Sequence, residues 1–463
     1  MKNRAINFTE GKIFPILIAY AVPLALSSLI QLCFNIADFS ILGNFDKSAD
    51  SSAVGAVGAT GAIVNLLVNA VVGLSAGANV LLARAVGAKE EGRVRDIIGT
   101  TLILSVAAGV IMTVLGMLSV RWFLDITACP ANCFEGALTY MHIYFLAVPA
   151  IYVYNFGSAI IRVSGDSRSP SIYILASGGL NVILNFLLCV TMSNKVAAVA
   201  IATLVSNTLG AALTVIHLSK MKTGVCRVDL RKLSFSWREL GNIFLLGVPT
   251  AFTTAIYSIS DMQMQSIINS FGSSITAGNS ASAKLDAIVN SFTYPIAATA
   301  MVFVGQNVGA QKPDRVKRFI KLCVISSLAV ALVMGYGALA FARPLVKILL
   351  PNDPLGMEIG VVRIYCVLSM YFICATDSVL SFSVRAFGYP ILPMLNSLFS
   401  TILLKAVWVM WIYPRLPVTG DAVKDIMNVY YCYMLSWVLS FVIQVIMFSV
   451  VYRRYLTGRI KEI

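Results

Sequence analysis

The feature that most constrains this chain is a series of long apolar stretches that recur along its whole length. Each stretch reaches the roughly 20 apolar residues that a helix needs to cross the hydrocarbon of a bilayer. Only 12% of the 463 residues are charged, against roughly 25% in soluble domains. Lipid is therefore the expected solvent for most of the chain. A transmembrane β-barrel is excluded, because its strands would alternate polar and apolar residues.

The stretches predict an all-α polytopic membrane protein with about twelve transmembrane helices, separated by short polar or basic turns. The first stretch follows a basic leader but is too long for a secretory signal, so we expect it to remain as a membrane helix. The approximate spans are 14–43, 53–82, 97–120, 137–160, 170–191, 196–219, 240–269, 275–304, 319–341, 359–384, 391–413 and 427–452.

The net charge of +14 is explained by membrane topology, not by nucleic-acid binding. If the N-terminus is cytoplasmic, most Lys and Arg residues lie on the inner side, as the positive-inside rule requires. The basic loops are 84–95, 220–238, 312–321 and 453–461. Arg363 is counted among the few basic residues on the outer side. We therefore expect a multi-pass protein of the cytoplasmic (inner) membrane with both termini in the cytoplasm.

The chain contains an internal repeat at a nearly constant separation. Because six spans is an even number, the two halves enter the membrane from the same side and form a parallel repeat. We predict an N-terminal six-helix bundle at 1–220, a cytoplasmic basic linker at 221–239 and a C-terminal six-helix bundle at 240–463. The matching segments include Val22-Pro23 with Val248-Pro249, Gly87-Ala88-Lys89 with Gly309-Ala310-Gln311, and 162–165 with 385–388.

Polar residues in the first half form two short stripes. Ionisable groups inside a membrane are costly, which makes each of them a functional hypothesis. The spacing of each stripe puts its members on one helical face, and both stripes are expected to line the same cavity. Hydrogen bonding between helices is the alternative role. The residues are Gln31, Asn35 and Asp38 on span 1, with Asn181 and Asn185 on span 5.

The second half carries more ionisable residues within its predicted spans. Uptake of a proton or a sodium ion by one or more carboxylates is the functional interpretation. A structural network of ion pairs is the alternative. The residues are Tyr257, Asp261, Asp286 and Asp377, together with Lys284 and Lys405, both of which are expected to be buried.

Two prolines occupy equivalent positions in spans 1 and 7, Pro23 and Pro249. Each removes a helix hydrogen bond and favours a kink, so both are candidate hinges. No Walker A sequence, His/Cys ligand cluster or Ser-centred nucleophile elbow is present in the sequence. We therefore expect neither enzymatic activity nor a cofactor.

Several segments resemble the multidrug and toxic compound extrusion (MATE) family of the multidrug, oligosaccharidyl-lipid and polysaccharide exporter superfamily. Residues 20–24 and 35–38 are similar to the opening helix of the family, which contains a proline and a membrane-embedded aspartate. The other segments are 53–58, 73–78, 83–88 and 162–170. Together with the repeat, the resemblance covers nearly the whole chain.

The resemblance implies a V-shaped pair of bundles and antiport of organic cations against protons or sodium. It assigns cation coupling to Asp38, with Asn181 as its neighbour. Family members often have an aspartate where this chain has Asn185, which weakens a mechanism with two carboxylates in the first half. Asp261 and Asp377 match acidic positions of some members, and they are candidate sodium or proton ligands in the second half.

The leading hypothesis is a monomeric secondary exporter of small organic, often cationic compounds, coupled to protons or sodium through alternating access. A flippase for a lipid-linked oligosaccharide or another lipid is the alternative within the superfamily. A flippase would need a more basic cavity. The buried acids argue against this alternative, and Lys284 and Lys405 argue for it. A membrane-embedded enzyme would need a catalytic cluster that the sequence does not contain.

Overall fold

The computed structural model describes residues 6–45, 52–127, 129–221, 225–416 and 419–458, and within these ranges it contains helices and no β-strand. Six long helices form the first half of the chain. They are α1 (Ile13–Phe45), α2 (Ser52–Ala88), α3 (Glu91–Ile126), α4 (Ala131–Val163), α5 (Arg168–Thr191) and α6 (Lys195–Lys220).

The second half repeats this pattern with more interruptions. Its helices are α7 (Trp237–Ser270), α8 (Ser273–Gly309), α9 (Pro313–Ala340), the short α10 (Ala342–Leu349), α11 (Pro354–Val367), α12 (Tyr371–Ala386), α13 (Ile391–Ser397), α14 (Leu404–Val407) and α15 (Ala422–Leu456). Helices α11 and α12 form one span through a 3-10 turn, and α13 and α14 belong to another span that contains π-helical turns. Twelve spans are long and apolar enough to cross a membrane in the part of the chain that the structure describes. The predicted fold class is confirmed.

Side chains that cap the first turn explain where several helices begin. Asn194 accepts a hydrogen bond from the Ala197 N–H at 3.0 Å, so α6 begins directly after it. Asp353 in the same way accepts from the Gly356 N–H at 2.9 Å before α11. Both residues satisfy backbone donors that a helix N-terminus leaves without partners.

The internal repeat is visible in the backbone of two equivalent turns. Lys89 follows α2 with a φ of 60°, and Gln311 follows α8 with a φ of 53°. They are the only non-glycine residues with positive φ among the described ranges. In each turn the N–H of this residue donates to the carbonyl three positions earlier at 3.1 Å. Two halves that share such an uncommon conformation at matching positions support the duplication.

The chain divides into two compact units, whose boundaries lie inside α1 and α7. Unit 1 contains Leu26–Ala251, and unit 2 contains Phe8–Ala25 with the chain from Phe252 onward. The beginning of α1 therefore belongs to unit 2, and the beginning of α7 belongs to unit 1. Pro23 and Pro249 lie inside these helices, just before the respective boundaries. The predicted division into bundles at 1–220 and 240–463, joined by a linker at 221–239, stays a prediction.

Within unit 1, α2 and the first part of α7 pack closely through glycines. A Cβ atom added to Gly77 would lie 2.5 Å from the backbone N of Gly247, and one added to Gly247 would lie 2.9 Å from the carbonyl O of Leu74. Small residues of this kind let membrane helices approach each other through their backbones. This contact ties the start of α7 to unit 1.

Candidate functional site

In unit 1, the Asp38 carboxylate of α1 lies beside two amides of α5. Asn185 Nδ2 donates to Asp38 Oδ1 at 2.7 Å. In the amide orientation that satisfies its neighbours, Asn181 Nδ2 donates to Asp38 Oδ1 and Oδ2 at 3.1 and 2.8 Å. Both asparagines are buried. The structure thus brings together Asp38, Asn181 and Asn185, and their role in coupling stays a prediction.

The other two residues predicted for this half are Gln31 and Asn35. Gln31 is half-buried on α1, whereas the side chain of Asn35 lies outside the described part of the structure. Sequence reasoning missed Tyr140, which lies on α4 close to both Asp38 and Thr203. Its ring stacks on Tyr144 with a centroid distance of 6.0 Å. Tyrosines are common in apolar helices, so no sequence signal distinguishes these two.

The geometry of this site allows the hydrogen bonds around Asp38 to differ between its charged and its protonated form. Amide N–H groups that donate to a carboxylate stabilise its charged form. Asn185 Oδ1 is buried and has no hydrogen-bond partner among the described atoms. A protonated Asp38 has an O–H that can donate to an amide oxygen if the Asn185 amide rotates. The site can therefore hold either a charged carboxylate or a neutral acid.

In unit 2, Asp286 forms a buried ion pair that the sequence did not indicate. Arg363 Nη1 on α11 lies 2.7 Å from Asp286 Oδ2 on α8 and donates to Ser282 Oγ at 3.1 Å. Arg363 is 7% exposed. The side of the membrane near which Arg363 lies stays a prediction, whereas the structure shows its side chain buried within the span Pro354–Ala386. The signal that was missed is an isolated arginine between Val362 and Ile364 in an apolar run.

Lys405 and Asp261 form the second charged pair of unit 2. Lys405 Nζ on α14 lies 3.9 Å from Asp261 Oδ1 on α7 and 4.3 Å from the ring centroid of Tyr433. Lys405 is 3% exposed, whereas the Asp261 side chain is 72% exposed. The expectation that Lys284 is buried was wrong. This residue is exposed on α8, while its helical neighbours Ser282 and Leu285 are buried.

Asp377 belongs to a different group of polar residues. It is 9% exposed on α12 and lies near Ser440, Arg385 and Tyr257. The Tyr257 hydroxyl is 3.2 Å from Ser397 Oγ. Arg385 is buried, and its guanidinium lies 5.0 Å from the Phe382 ring centroid.

The three unit 2 acids therefore lie in three groups, two of which are linked through α7. Tyr257 and Asp261 are one helical turn apart on α7, so the Lys405 pair and the Asp377 group lie along the same helix face. Asp261 lies beside Lys405, and Asp377 lies near Ser440, Arg385 and Tyr257. A sodium position that uses both carboxylates stays a prediction. The charges that accompany the three acids are Arg363, Arg385 and Lys405.

These features define a multi-pass helical membrane protein with polar groups inside both of its units. A family model described as MatE matches residues 23–187 and 249–411, one match in each half. Because these matches cover most of the chain, the protein belongs to the MatE family of multidrug and toxic compound extrusion transporters. Membership of this family points to a transporter and away from an enzyme.

Individual proteins show how far the similarity extends. The "Probable multidrug resistance protein YoeA" of Bacillus subtilis (strain 168) is 24% identical over 409 residues, which cover 87% of this chain and 88% of the relative. A "FAD transporter" of Shewanella oneidensis is 21% identical over 366 residues, which cover 77% and 78%. The solved "Outward-facing conformation of a multidrug resistance MATE family transporter of the MOP superfamily" has a TM-score of 0.87 at 16% identity and 99% coverage of both chains. This last match shows a shared fold.

Proposed function

We propose that this protein is a secondary exporter of small organic compounds, including cations, driven by the inward movement of protons or sodium. The observation that carries the proposal is Asp38, a carboxylate on α1 in the predicted span 14–43 that two asparagine amides contact in unit 1. A carboxylate in a span is costly without a function. The name of the Bacillus subtilis relative as a multidrug resistance protein supports the same activity.

Coupling requires that the ion and the transported compound favour different states of one equilibrium between inward-open and outward-open forms. One charge that moves through the membrane potential supplies about 2.3 kcal/mol per 100 mV. Pro23 and Pro249 lie just before the points where α1 and α7 pass from one compact unit to the other. A kink at such a point is a suitable hinge for this exchange.

The direct test is transport by purified protein in liposomes under imposed proton or sodium gradients. We expect uphill export of an organic cation under one of the two gradients. Asp261→Asn and Asp377→Asn are each expected to reduce transport, because they remove carboxylates of unit 2 while preserving side-chain shape. Protein amount and monodispersity in detergent serve as controls for folding. Normal transport by both variants would mean that these acids have a structural role or none.

A second prediction concerns topology. We propose that the protein lies in the cytoplasmic membrane as a monomer with both termini in the cytoplasm, which places Lys195 and Lys424 outside. The loop near residue 47 is also predicted on the external side of the membrane, and it is not among the residues that the structure describes. In a background that lacks Cys33, Cys129 and Cys374, the native thiols that are not buried, Lys424→Cys should react with a membrane-impermeant maleimide in intact cells. Labelling only after the cells are opened would reverse the proposed orientation.

A further inference from the structure

Lys405 occupies an unusual place in unit 2. Its short helix α14 lies between two π-helical turns, Leu398–Leu403 and Trp408–Ile412. A π-helical turn inserts a residue into the α-helical register, and such turns occur frequently at functional sites. The insertion rotates the following side chains by roughly 100° relative to a continuous α-helix. The span around Lys405 therefore has two local distortions that set the direction of this side chain.

The charged end of Lys405 is buried with weak partners. Its Nζ atom lies 3.9 Å from Asp261 Oδ1 and 4.3 Å from the Tyr433 ring centroid. No hydrogen bond from this ammonium to another residue is found within the ranges that the structure describes. An ammonium has three donors, and a buried charge is stable only when it is paired and hydrogen-bonded. The site is therefore incomplete in terms of hydrogen-bond acceptors.

Arg363 is different, although it is a cation in the same unit. It has an ion pair with Asp286 at 2.7 Å and a hydrogen bond to Ser282. Asp286 Oδ2 is thus paired with the arginine, and no ion pair between Asp286 and Lys405 is found among the described residues. Among the buried cations that the structure describes in unit 2, Lys405 and Arg385 lack a close acceptor. Of these two, Lys405 is the one that lies beside an exposed carboxylate, because Asp377 near Arg385 is buried.

Asp261 lies between Lys405 and open space. Its side chain is 72% exposed, although it is within a span. A charged side chain in a span faces water in preference to lipid, so Asp261 lines an aqueous space that a solute can enter. Because Lys405 is 3% exposed, a solute reaches the ammonium by displacing the Asp261 carboxylate from its 3.9 Å contact.

We propose that Lys405 and Asp261 together bind an amphoteric substrate, with its carboxylate or other anionic group on Lys405 and its cationic group on Asp261. This inference rests on the proposed function as an exporter and names the class of compound that unit 2 accepts. Binding exchanges one long ion pair inside the protein for two ion pairs with the substrate. The anionic group also supplies the hydrogen-bond acceptors that the ammonium lacks, and such charge-assisted hydrogen bonds are strong.

The same geometry predicts that compounds with a single charge bind less well. A purely cationic compound must compete with Lys405 for Asp261. A purely anionic compound that takes Lys405 leaves Asp261 without a partner, next to a second negative charge. Like charges in contact oppose binding. Only a compound that carries both charges satisfies both residues.

The test uses a zwitterionic rhodamine that carries a free carboxylate and the cationic methyl ester of the same dye. Their affinities for the purified full-length protein in detergent are measured by fluorescence anisotropy. We expect the wild-type protein to bind the carboxylate form about tenfold more tightly, a ratio of the size that one charged hydrogen-bond pair provides. Lys405→Met should remove this preference. The ester should bind at least as tightly as before, because it no longer competes with Lys405 for Asp261. Lys405→Arg should restore part of the preference.

Lys424→Met is the matched control. Lys424 also pairs with an aspartate of unit 2, Asp421, at 3.8 Å, but both side chains are exposed. This variant should keep the tenfold preference. Asp261→Asn provides a second, independent measurement. This variant should bind the ester more weakly and keep the preference for the carboxylate form of the dye.

The possible failures are distinguishable. Absence of a carboxylate preference in the wild-type protein, or its persistence in Lys405→Met, overturns the amphoteric site. Export of the ester from liposomes is measured in parallel. If the wild-type protein exports the ester under an ion gradient but shows no carboxylate preference, the exporter function stands and the inference fails. If it exports neither dye under any gradient while binding shows the preference, the proposed function fails and the binding site stands.

Discussion

Asp38→Asn is expected to abolish uphill efflux while the protein stays folded. The substitution preserves the shape of the side chain and removes its charge and its titration. Asn185 can rotate its amide so that its buried Oδ1 accepts a hydrogen bond from the new amide. Thermal stability should therefore change little, and downhill exchange of substrate should persist in part. The measurement is gradient-driven efflux from liposomes, with the melting temperature in detergent as the control for folding.

Asn185→Ala is a useful companion to this variant. It removes one donor to Asp38 and keeps the carboxylate. We expect weakened but measurable uphill transport, because Asn181 still donates to Asp38. Uphill rates equal to wild type in Asp38→Asn would contradict the assignment. The coupling site would then have to lie among Asp261, Asp286 and Asp377.

Arg363→Met is expected to cause the largest loss of stability among the single substitutions considered. Arg363 is 7% exposed and its guanidinium pairs with Asp286 at 2.7 Å. Removal of one partner of a buried ion pair typically costs about 3–5 kcal/mol, because the other charge remains buried without compensation. A clearly lower melting temperature in detergent should report this loss.

The double variant Arg363→Met/Asp286→Leu tests the physical reason. Replacement of both charges by apolar groups is often neutral or stabilising, so most of the lost stability should return. Lys424→Met breaks an exposed pair and should change the melting temperature little. A double variant that is as unstable as Arg363→Met would show that the arginine stabilises through other contacts.

Much of the architecture was predictable from the sequence, because the solvent of this chain is lipid. Apolar stretches of sufficient length form helices in a membrane, since every backbone N–H and C=O group must be satisfied within the segment. The twelve spans follow from this requirement. The duplication was visible as matched pairs such as Pro23 and Pro249, and it recurs in the shared backbone conformation of Lys89 and Gln311.

Helical spacing also indicated part of the candidate site. The i, i+4 separation of Asn181 and Asn185 placed both amides on one face of α5. A carboxylate in span 1 needs polar neighbours, which made Asp38 their natural partner. Spacing within one helix does not specify which faces of two helices meet. The contact of Asp38 with Asn185, which spans 147 residues of sequence, was a hypothesis until the structure placed α1 beside α5.

What the sequence determined by itself is the set of apolar segments, their number, their duplication and the costly polar residues within them. The tertiary structure decided which of those residues are paired and which are exposed. Lys284 and Lys405 look equivalent in the sequence, yet Lys284 is exposed and Lys405 is buried between two π-helical turns. Arg363 is buried because the packing of α11 against α8 brings its guanidinium to Asp286. Local composition sets whether a segment enters the membrane, but the packing of helix faces sets where each charge finds its partner.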